Sequence, residues 1–198
     1  ATHLIGKLHV QPLKSTEDQP SWEAQPTLRD LDYWRHFWGP WYGFERAEVA
    51  RMHSNESHAG QHYAIWMEEK GLTNWADYFR PWPDKEYPDH PQMKLAGEAP
   101  VTWDIPEPYH YNYWIAERTI ANVEQAHSEG RPFFTWASYF DPHFPQMVPE
   151  PWASMYDPAE MEPGELTDDE LAHMPKPHQL TQDPNADFSA WQEAHANH

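Results

Sequence analysis

The sequence PFFTWASYFDPHFP, residues 132–145, carries most of the information about how this chain folds. Residues 133–140 are aromatic, small or hydroxyl-bearing, a run typical of one buried strand and too short for most helices. Asp141-Pro142 ends this strand, because proline cannot donate to a neighbouring strand and restricts the residue before it. His143 follows at once, where ligands of open α/β sheets bind, so it is a candidate functional residue. A histidine that only orders the loop beside Asp141 is the alternative.

A helix is expected directly before that strand, over residues 113–129. Its apolar residues recur at spacings of three and four, and Gly130 supplies a left-handed C-terminal cap. The predicted buried face consists of Tyr113, Ala116, Ile120 and Val123. A helix leading into a strand indicates an α/β fold, and 198 residues suit a single domain.

Residues 2–5 predict a second strand, which runs into Gly6-Lys7-Leu8-His9. On a strand, Lys7 and His9 would share one face, so their ammonium and imidazole groups could converge on one anion. A solvated lysine beside an edge histidine is the alternative.

The other segments are shorter or less regular. Residues 62–70 predict a short helix, whereas residues 47–52 fit either a short strand or a short helix. The proline-rich residues 75–108 are expected to form a long irregular excursion. Thr167, with Glu170 three positions later, predicts a capping box at the start of a helical turn.

Two patterns resemble metal sites without meeting their requirements. His58 and His62 are spaced as in helical zinc pairs, but Gly60 weakens a helix there and no Glu follows the first histidine. Structural or pocket-lining histidines are therefore expected. The acidic residues 168–170 lack the EF-hand spacing and are expected to be solvated, so no metal site is assigned within the chain.

The charge balance argues against two classes of partner. Lys and Arg number 13 against 32 Asp and Glu, and the net charge of −19 opposes binding to nucleic acid or to an anionic membrane. An anionic substrate would need a local cluster of Lys and His. The chain has no Cys, which removes thiolate ligands and a cysteine nucleophile.

The aromatic residues 33–44 admit two interpretations. Such a cluster is more often core. Alternatively, it would be the stacking platform of a non-catalytic carbohydrate-binding protein, a hypothesis that predicts Lys7 and His143 to lie far apart. The platform would consist of Trp34, Trp38 and Trp41.

The pattern Thr-x-x-x-Gly-Lys-x-His at residues 2–9, together with Asp-Pro-His-x-Pro at residues 141–145, resembles the sulfatase family of the alkaline-phosphatase-like superfamily. This resemblance implies a partial sulfatase sandwich of α/β class with long irregular, proline-rich loops, in which residues 1–198 are one internal portion of a catalytic domain. Supporting matches lie at residues 42–44, 114–119, 149–158 and 187–191.

The resemblance implies specific roles for three residues. Lys7 and His9 would contact the sulfate and the nucleophile, although Leu8 replaces the commoner Trp, and His143 would lie against the ester oxygen. Lys and His donors stabilise the negative charge that spreads over sulfate oxygens in the transition state. A histidine near the bridging oxygen can also protonate the leaving group. Expected catalytic residues are thus His9 and His143, and Lys7 is expected to bind substrate with them.

Two family features are missing. The Cys/Ser-x-Pro-x-Arg motif, which yields the formylglycine nucleophile, and the acidic residues that hold calcium have no counterpart here. The resemblance therefore implies that both lie outside this chain, that the complete enzyme hydrolyses a small-molecule or carbohydrate sulfate ester, and that the chain alone is inactive. A phosphonate monoester hydrolase or phosphodiesterase of the same superfamily is the alternative, beside the carbohydrate-binding protein.

Overall fold

The computed structural model describes residues 1–83, 86–94, 101–143, 146–161 and 167–175, which form a mixed α/β fold. The strands are β1 (Thr2–Gly6), β2 (Arg46–Val49), β3 (Val101–Thr102), β4 (Phe134–Ser138) and β5 (Met147–Val148). The α-helices are α1 (Leu31–His36), α2 (Gln61–Glu69), α3 (Pro91–Lys94), α4 (Tyr111–Ser128) and α5 (Asp168–His173). Short 3-10 helices lie at Thr27–Arg29, Trp75–Tyr78, Glu107–Tyr109, Trp152–Ser154 and Pro158–Glu160.

Three parallel strands form the main sheet, with β1 in the centre between β2 and β4. β3 and β5 form a separate parallel pair. The strand expected over residues 2–5 is confirmed, and the ambiguous residues 47–52 begin as a strand rather than a helix. Because parallel strands end at the same edge of a sheet, the segments that follow β1, β2 and β4 meet at one edge.

Helix α4 covers one face of the sheet through polar as well as apolar contacts. Glu48 of β2 accepts two hydrogen bonds from Arg118 of α4, at 2.5 and 3.0 Å. Thr135 of β4 donates to Asn122 of α4 at 2.9 Å. Glu48 lies on β2 and Thr135 on β4, on opposite sides of β1. The two hydrogen-bonded pairs together therefore hold α4 in place over all three strands.

The helix expected over residues 113–129 is confirmed, but its buried face was predicted wrongly. Tyr113 and Ile120 are exposed, and Gly130 adopts the expected left-handed φ of 63° after the helix. The buried stripe includes Asn122, which bonds to the sheet, so apolar spacing alone selected a neighbouring stripe. The buried residues are Tyr111, Trp114, Ile115, Asn122 and Ala126.

The strand at the centre of residues 132–145 is an edge strand instead of a buried one. Phe134 and Trp136 are 55% and 48% exposed, and within the described ranges no strand pairs with the outer edge of β4. Phe44 makes ring contacts with both, at centroid distances of 6.3 and 6.4 Å. Apolar composition showed that this segment is a strand, but burial depends on which elements pack against it.

The aromatic cluster forms core on the other face of the sheet. Trp34 and Trp41 are 0% and 2% exposed and pack with Leu4 of β1, which confirms the core interpretation. Trp38 lies under the guanidinium of Arg46, 4.6 Å from its ring. The proposed stacking platform is therefore wrong, because two of its three rings are inaccessible to a ligand.

The turn after β1 explains how Lys7 and His9 are placed. Gly6 has a φ of 103°, and an added Cβ there would lie 2.1 Å from the carbonyl oxygen of Ser138, so glycine is required. Lys7 and His9 follow the strand and are not part of it, so the expectation that they share a strand face is wrong. His9 itself has a positive φ of 53°.

Other expectations have mixed outcomes. The helix expected over residues 62–70 is confirmed as α2, which spans Gln61–Glu69. Its residues from Gln61 to Met67 are buried because the helix packs between two core clusters. The described part of the excursion over residues 75–108 contains α3 and β3 among irregular segments. The capping box of Thr167 and Glu170 is confirmed at α5, whereas residues 187–191 lie outside the described ranges.

Candidate anion-binding site

Basic side chains collect at the edge where β1, β2 and β4 end. Lys7 and His9 follow β1, Arg51 and His53 follow β2, and His143 follows β4. The parallel sheet therefore brings together three segments that are far apart in sequence.

His53 is at the centre of this group. Its Nε2 contacts Lys7 Nζ, and its ring stacks on His143 with centroids 3.6 Å apart and planes inclined by 16°. The ring of His9 lies edge-on to His53 at 6.3 Å. Lys7, His9 and His143 thus converge, as an anion site requires and contrary to what the carbohydrate-binding hypothesis predicts.

Glu56 fixes the orientation of His53. One carboxylate oxygen accepts a hydrogen bond from the backbone N–H of His53 at 2.8 Å and lies 3.2 Å from its Nδ1. An ammonium group can only donate, so His53 Nε2 accepts from Lys7 and the ring proton sits on Nδ1, facing Glu56. A carboxylate behind a histidine holds that ring in a single tautomer and orientation.

Arg51 is a buried cation with unused hydrogen-bond donors. The residue is 4% exposed, and its Nη2 donates to His9 Nε2 at 3.2 Å. Its Nε and Nη1 are buried and have no hydrogen-bond partner among the described residues. Since a guanidinium can only donate, His9 Nε2 is an acceptor, which leaves the His9 proton on Nδ1.

Burial and mutual repulsion shift the pKa values of this group. The pKa of Lys7 is lowered to about 8, chiefly by burial and to a smaller degree by the Arg51 charge, while Glu56 and Glu23 oppose the shift. Roughly nine-tenths of Lys7 is still protonated at pH 7. Burial, followed by the charges of Arg51 and Lys7, lowers the pKa of His9 and favours its neutral form. The site therefore combines two cations with neutral His9.

A buried carboxylate lies beside the loop that carries His9. Glu23 is 2% exposed and accepts hydrogen bonds from the backbone N–H groups of Val10 and Gln11, at 3.1 and 2.9 Å. Burial raises its pKa, while those two hydrogen bonds and the Arg51 charge act in the opposite direction. Glu23 thus anchors the loop after β1 and partly balances Arg51.

Comparisons with known proteins give no further assignment. No family model, no curated protein and no solved structure matches this chain. The resemblance to sulfatases consequently rests on the sequence patterns at residues 2–9 and 141–145 with their supporting segments.

Two other properties of the described ranges bear on function. No group of three or more His, Cys, Asp or Glu side chains in them is arranged to hold a metal ion. None of the helices found there is long and apolar enough to cross a membrane.

The histidines at 58 and 62 have different environments. His62 accepts from the backbone N–H of Val49 at 3.0 Å and donates from Nε2 to the carbonyl of Phe37 at 2.7 Å. It is a structural histidine, as expected, and burial lowers its pKa to about 4. His58 Nδ1 lies 3.5 Å from a carboxylate oxygen of Glu56, so His58 contacts the same carboxylate that orients His53.

Arg51, His53 and Glu56 were not among the residues selected from the sequence. A signal for two of them was present, because Arg51 lies near the end of residues 47–52, which fit a strand as well as a helix, and His53 follows directly. Ligands bind beyond the carboxyl ends of parallel strands. Since β2 is parallel to β4, this rule points to Arg51 and His53 as well as to His143. Glu56 gave no signal, since its role depends on a contact made only in the folded chain.

Proposed function

We propose that this site binds the sulfate group of a sulfate ester and that the protein is a sulfuric ester hydrolase of the alkaline-phosphatase-like, sulfatase type. The observation that carries the proposal is the convergence of Lys7, Arg51 and three histidines at the ends of three parallel strands. The sequence patterns that resemble sulfatases include Lys7, His9 and His143, and the fold brings the same three together.

Arg51 supports an oxyanion ligand most directly. Its Nε and Nη1 lack a hydrogen-bond partner among the described residues, and leaving a buried polar group unpaired costs about 1–3 kcal/mol. A guanidinium presents its donors in a planar fork that matches two oxygens of a tetrahedral anion. Each of these two donors forms a fork with Nη2, so a bound sulfate would pair with one of them and with the second Nη2 hydrogen, and would offset the repulsion between Arg51 and Lys7.

The histidines suit the other requirements of ester cleavage. His9 can donate from Nδ1 to a sulfate oxygen, because its Nε2 already accepts from Arg51. His143 in its protonated form can give a proton to the bridging ester oxygen as the S–O bond breaks, which avoids release of an unstable alkoxide. His53 is a positioning residue, since it contacts Lys7, stacks on His143 and is held by Glu56.

The proposal assigns this chain the sulfate-binding and proton-donating half of the reaction. The resemblance assigns the formylglycine nucleophile and calcium to residues outside the chain. Cations and preorganised donors in this chain would then stabilise the charge that develops on the sulfate oxygens.

Binding of inorganic sulfate to the purified chain tests the proposal. We expect saturable binding, measured by isothermal titration at constant ionic strength, and at least tenfold weaker binding for Lys7→Met. Lys70→Met is the matched control, because Lys70 is a half-exposed lysine paired with Glu117 at 2.8 Å and away from the site. Equal sulfate affinity in both variants, or no saturable binding by the wild-type chain, would overturn the proposal.

The same titration separates sulfate esters from the phosphonate alternative. Inorganic sulfate is a dianion across the neutral range, and methylphosphonate becomes a dianion above its second pKa, so there the two ligands are compared at equal charge. A site built for sulfate should bind sulfate more tightly than the phosphonate dianion at pH 8. The reverse order would favour the phosphonate monoester hydrolase or phosphodiesterase.

A further inference from the structure

A cavity of about 500 Å³ is lined in part by Tyr139 and Asp141, in the segment after β4 that also carries His143. It is bounded by the first turns of α4, the segment after β4, strand β5 and the 3-10 helix at Trp152–Ser154. This volume falls within the range of sites that bind small organic molecules. Aromatic side chains contribute much of its wall, namely Tyr113, Tyr139, Trp152 and Tyr156.

His110 presents a buried donor in this cavity. It caps the N-terminus of α4, where its Nδ1 accepts from the backbone N–H of Asn112 at 3.3 Å, so the ring proton sits on Nε2. His110 is 5% exposed, and its Nε2 has no hydrogen-bond partner among the described residues. Burial lowers its pKa to about 4, and the imidazole is therefore neutral at physiological pH.

Asn112 supplies an acceptor in the same wall. Its Nδ2 donates to Asp141 at 2.9 Å, which leaves the amide oxygen Oδ1 turned away from that carboxylate. Oδ1 is buried and finds no donor in the described part of the chain. His110 and Asn112 together thus offer one neutral donor and one neutral acceptor, a pair that matches alcohol groups.

The cavity and the anion site share one segment of chain. Tyr139 and Asp141 line the cavity, and His143, two residues beyond Asp141, stacks on His53 in the anion site. Asp141 is itself fixed, because it accepts hydrogen bonds from Tyr111 at 2.5 Å and from Asn112 at 2.9 Å. The cavity is therefore connected to the anion site through the segment from Tyr139 to His143, which makes it the candidate for the alcohol portion of an ester whose sulfate lies at Lys7 and Arg51.

We propose that the cavity binds a neutral sugar ring, as the alcohol portion of the sulfate ester. Its position as a subsite rests on the proposed function, whereas its preference for sugars rests on its own walls. Aromatic faces stack on the apolar faces of a sugar, and hydroxyl groups pair with His110 Nε2 and Asn112 Oδ1. An apolar ring would leave both groups unpaired, and the Asp141 carboxylate opposes an anionic ring.

Binding of neutral methyl glycosides to the purified chain tests this assignment. We expect at least one of the methyl pyranosides of glucose, galactose and mannose to bind saturably, detected by saturation-transfer NMR and tryptophan fluorescence. Trp152→Ala should weaken binding at least tenfold, and His110→Phe, which keeps a ring but removes the donor, about tenfold. Trp136→Ala is the matched control, because Trp136 is also half-exposed but lies on β4 outside the cavity wall.

The outcomes distinguish this inference from the proposed function. Absence of glycoside binding, equal binding in Trp152→Ala and wild type, or phenol binding as tightly as the best glycoside would each overturn the sugar assignment. Sulfate binding would be unaffected by any of these results. Glycoside binding that is lost in Trp152→Ala, in a chain that fails to bind sulfate, would support the sugar site and refute the sulfate site.

Discussion

Replacing Arg51 by methionine should affect stability and ligand binding in opposite directions. Methionine has a similar length and no donors, so it removes the buried Nε and Nη1 groups that lack a partner among the described residues. It also removes the bond from Nη2 to His9 at 3.2 Å. The backbone bond from Arg51 N–H to Gln61, at 2.9 Å, is retained. The variant therefore tests whether Arg51 is present for the fold or for an anion.

The expected sizes follow from these contacts. The two unpaired buried donors together cost about 2–6 kcal/mol and the bond to His9 contributes about 1 kcal/mol. Arg51→Met also removes the attraction of the Arg51 charge to Glu56 and Glu23, so it should raise the free energy of unfolding by roughly 1 kcal/mol. A sulfate bound by Arg51 would lose two charge-assisted hydrogen bonds, together about 3 kcal/mol, which corresponds to roughly a hundredfold increase in Kd.

Urea denaturation with and without sulfate, together with isothermal titration, measures both quantities. Arg118→Met is the control, because it removes another arginine that is bonded twice to Glu48 on the face of the sheet covered by α4. Glu48 is buried, so breaking this pair should lower the free energy of unfolding by about 3 kcal/mol and leave sulfate affinity unchanged.

The opposite pattern would refute this reasoning. If Arg51→Met destabilises the chain as strongly as Arg118→Met and sulfate affinity is unchanged, Arg51 is a structural residue. Its unpaired donors would then be unrelated to an anion.

Two pH dependences follow from the burial of single groups. Sulfate binding needs protonated Lys7, whose pKa is about 8, so affinity should be level below about pH 7 and fall by up to tenfold per pH unit above pH 8. Titrations from pH 6 to 9.5 measure this, and a profile of the same shape in Lys7→Met would contradict the role of Lys7. Separately, His62 and His110 have pKa values of about 4, below the unfolded value of 6.5, so the unfolded chain binds protons first as pH falls. Stability should therefore be complete above pH 6.5 and decline towards pH 4 by about 3 kcal/mol for each histidine. His62→Gln, which keeps a donor and an acceptor, should remove about half of that slope, and denaturation curves with an unaltered slope would show that His62 is not the responsible group.

The local elements were largely predictable because their signals are local. Apolar spacing and Gly130 located α4, and Thr167 and Glu170 located the start of α5. Asp141-Pro142 predicted a strand that continues to residue 140, whereas β4 ends earlier, at Ser138. Each signal depends on backbone geometry or on capping groups within a few residues of the chain, so no tertiary contact is needed to recognise it.

Burial was predicted less well, for a physical reason. The inner stripe of α4 includes Asn122, which bonds to Thr135 on β4, and lies beside Arg118, which bonds to Glu48 on β2. Apolar periodicity takes no account of such pairs and therefore selected the exposed Tyr113 and Ile120. Similarly, the aromatic residues of β4 looked buried, although the strand lies at the edge of the sheet.

From the sequence alone it could be predicted that His143 follows a strand and that Lys7 and His9 lie close to another, although their position after that strand was not predicted. The sequence also determined, through its excess of acidic residues, that an anion would have to be bound by a local basic cluster. Only the tertiary structure decided that these residues meet, and that Arg51 and His53 join them from β2. The reason is that strand order and direction depend on contacts between segments far apart in the chain, and these place side chains that no local pattern can pair.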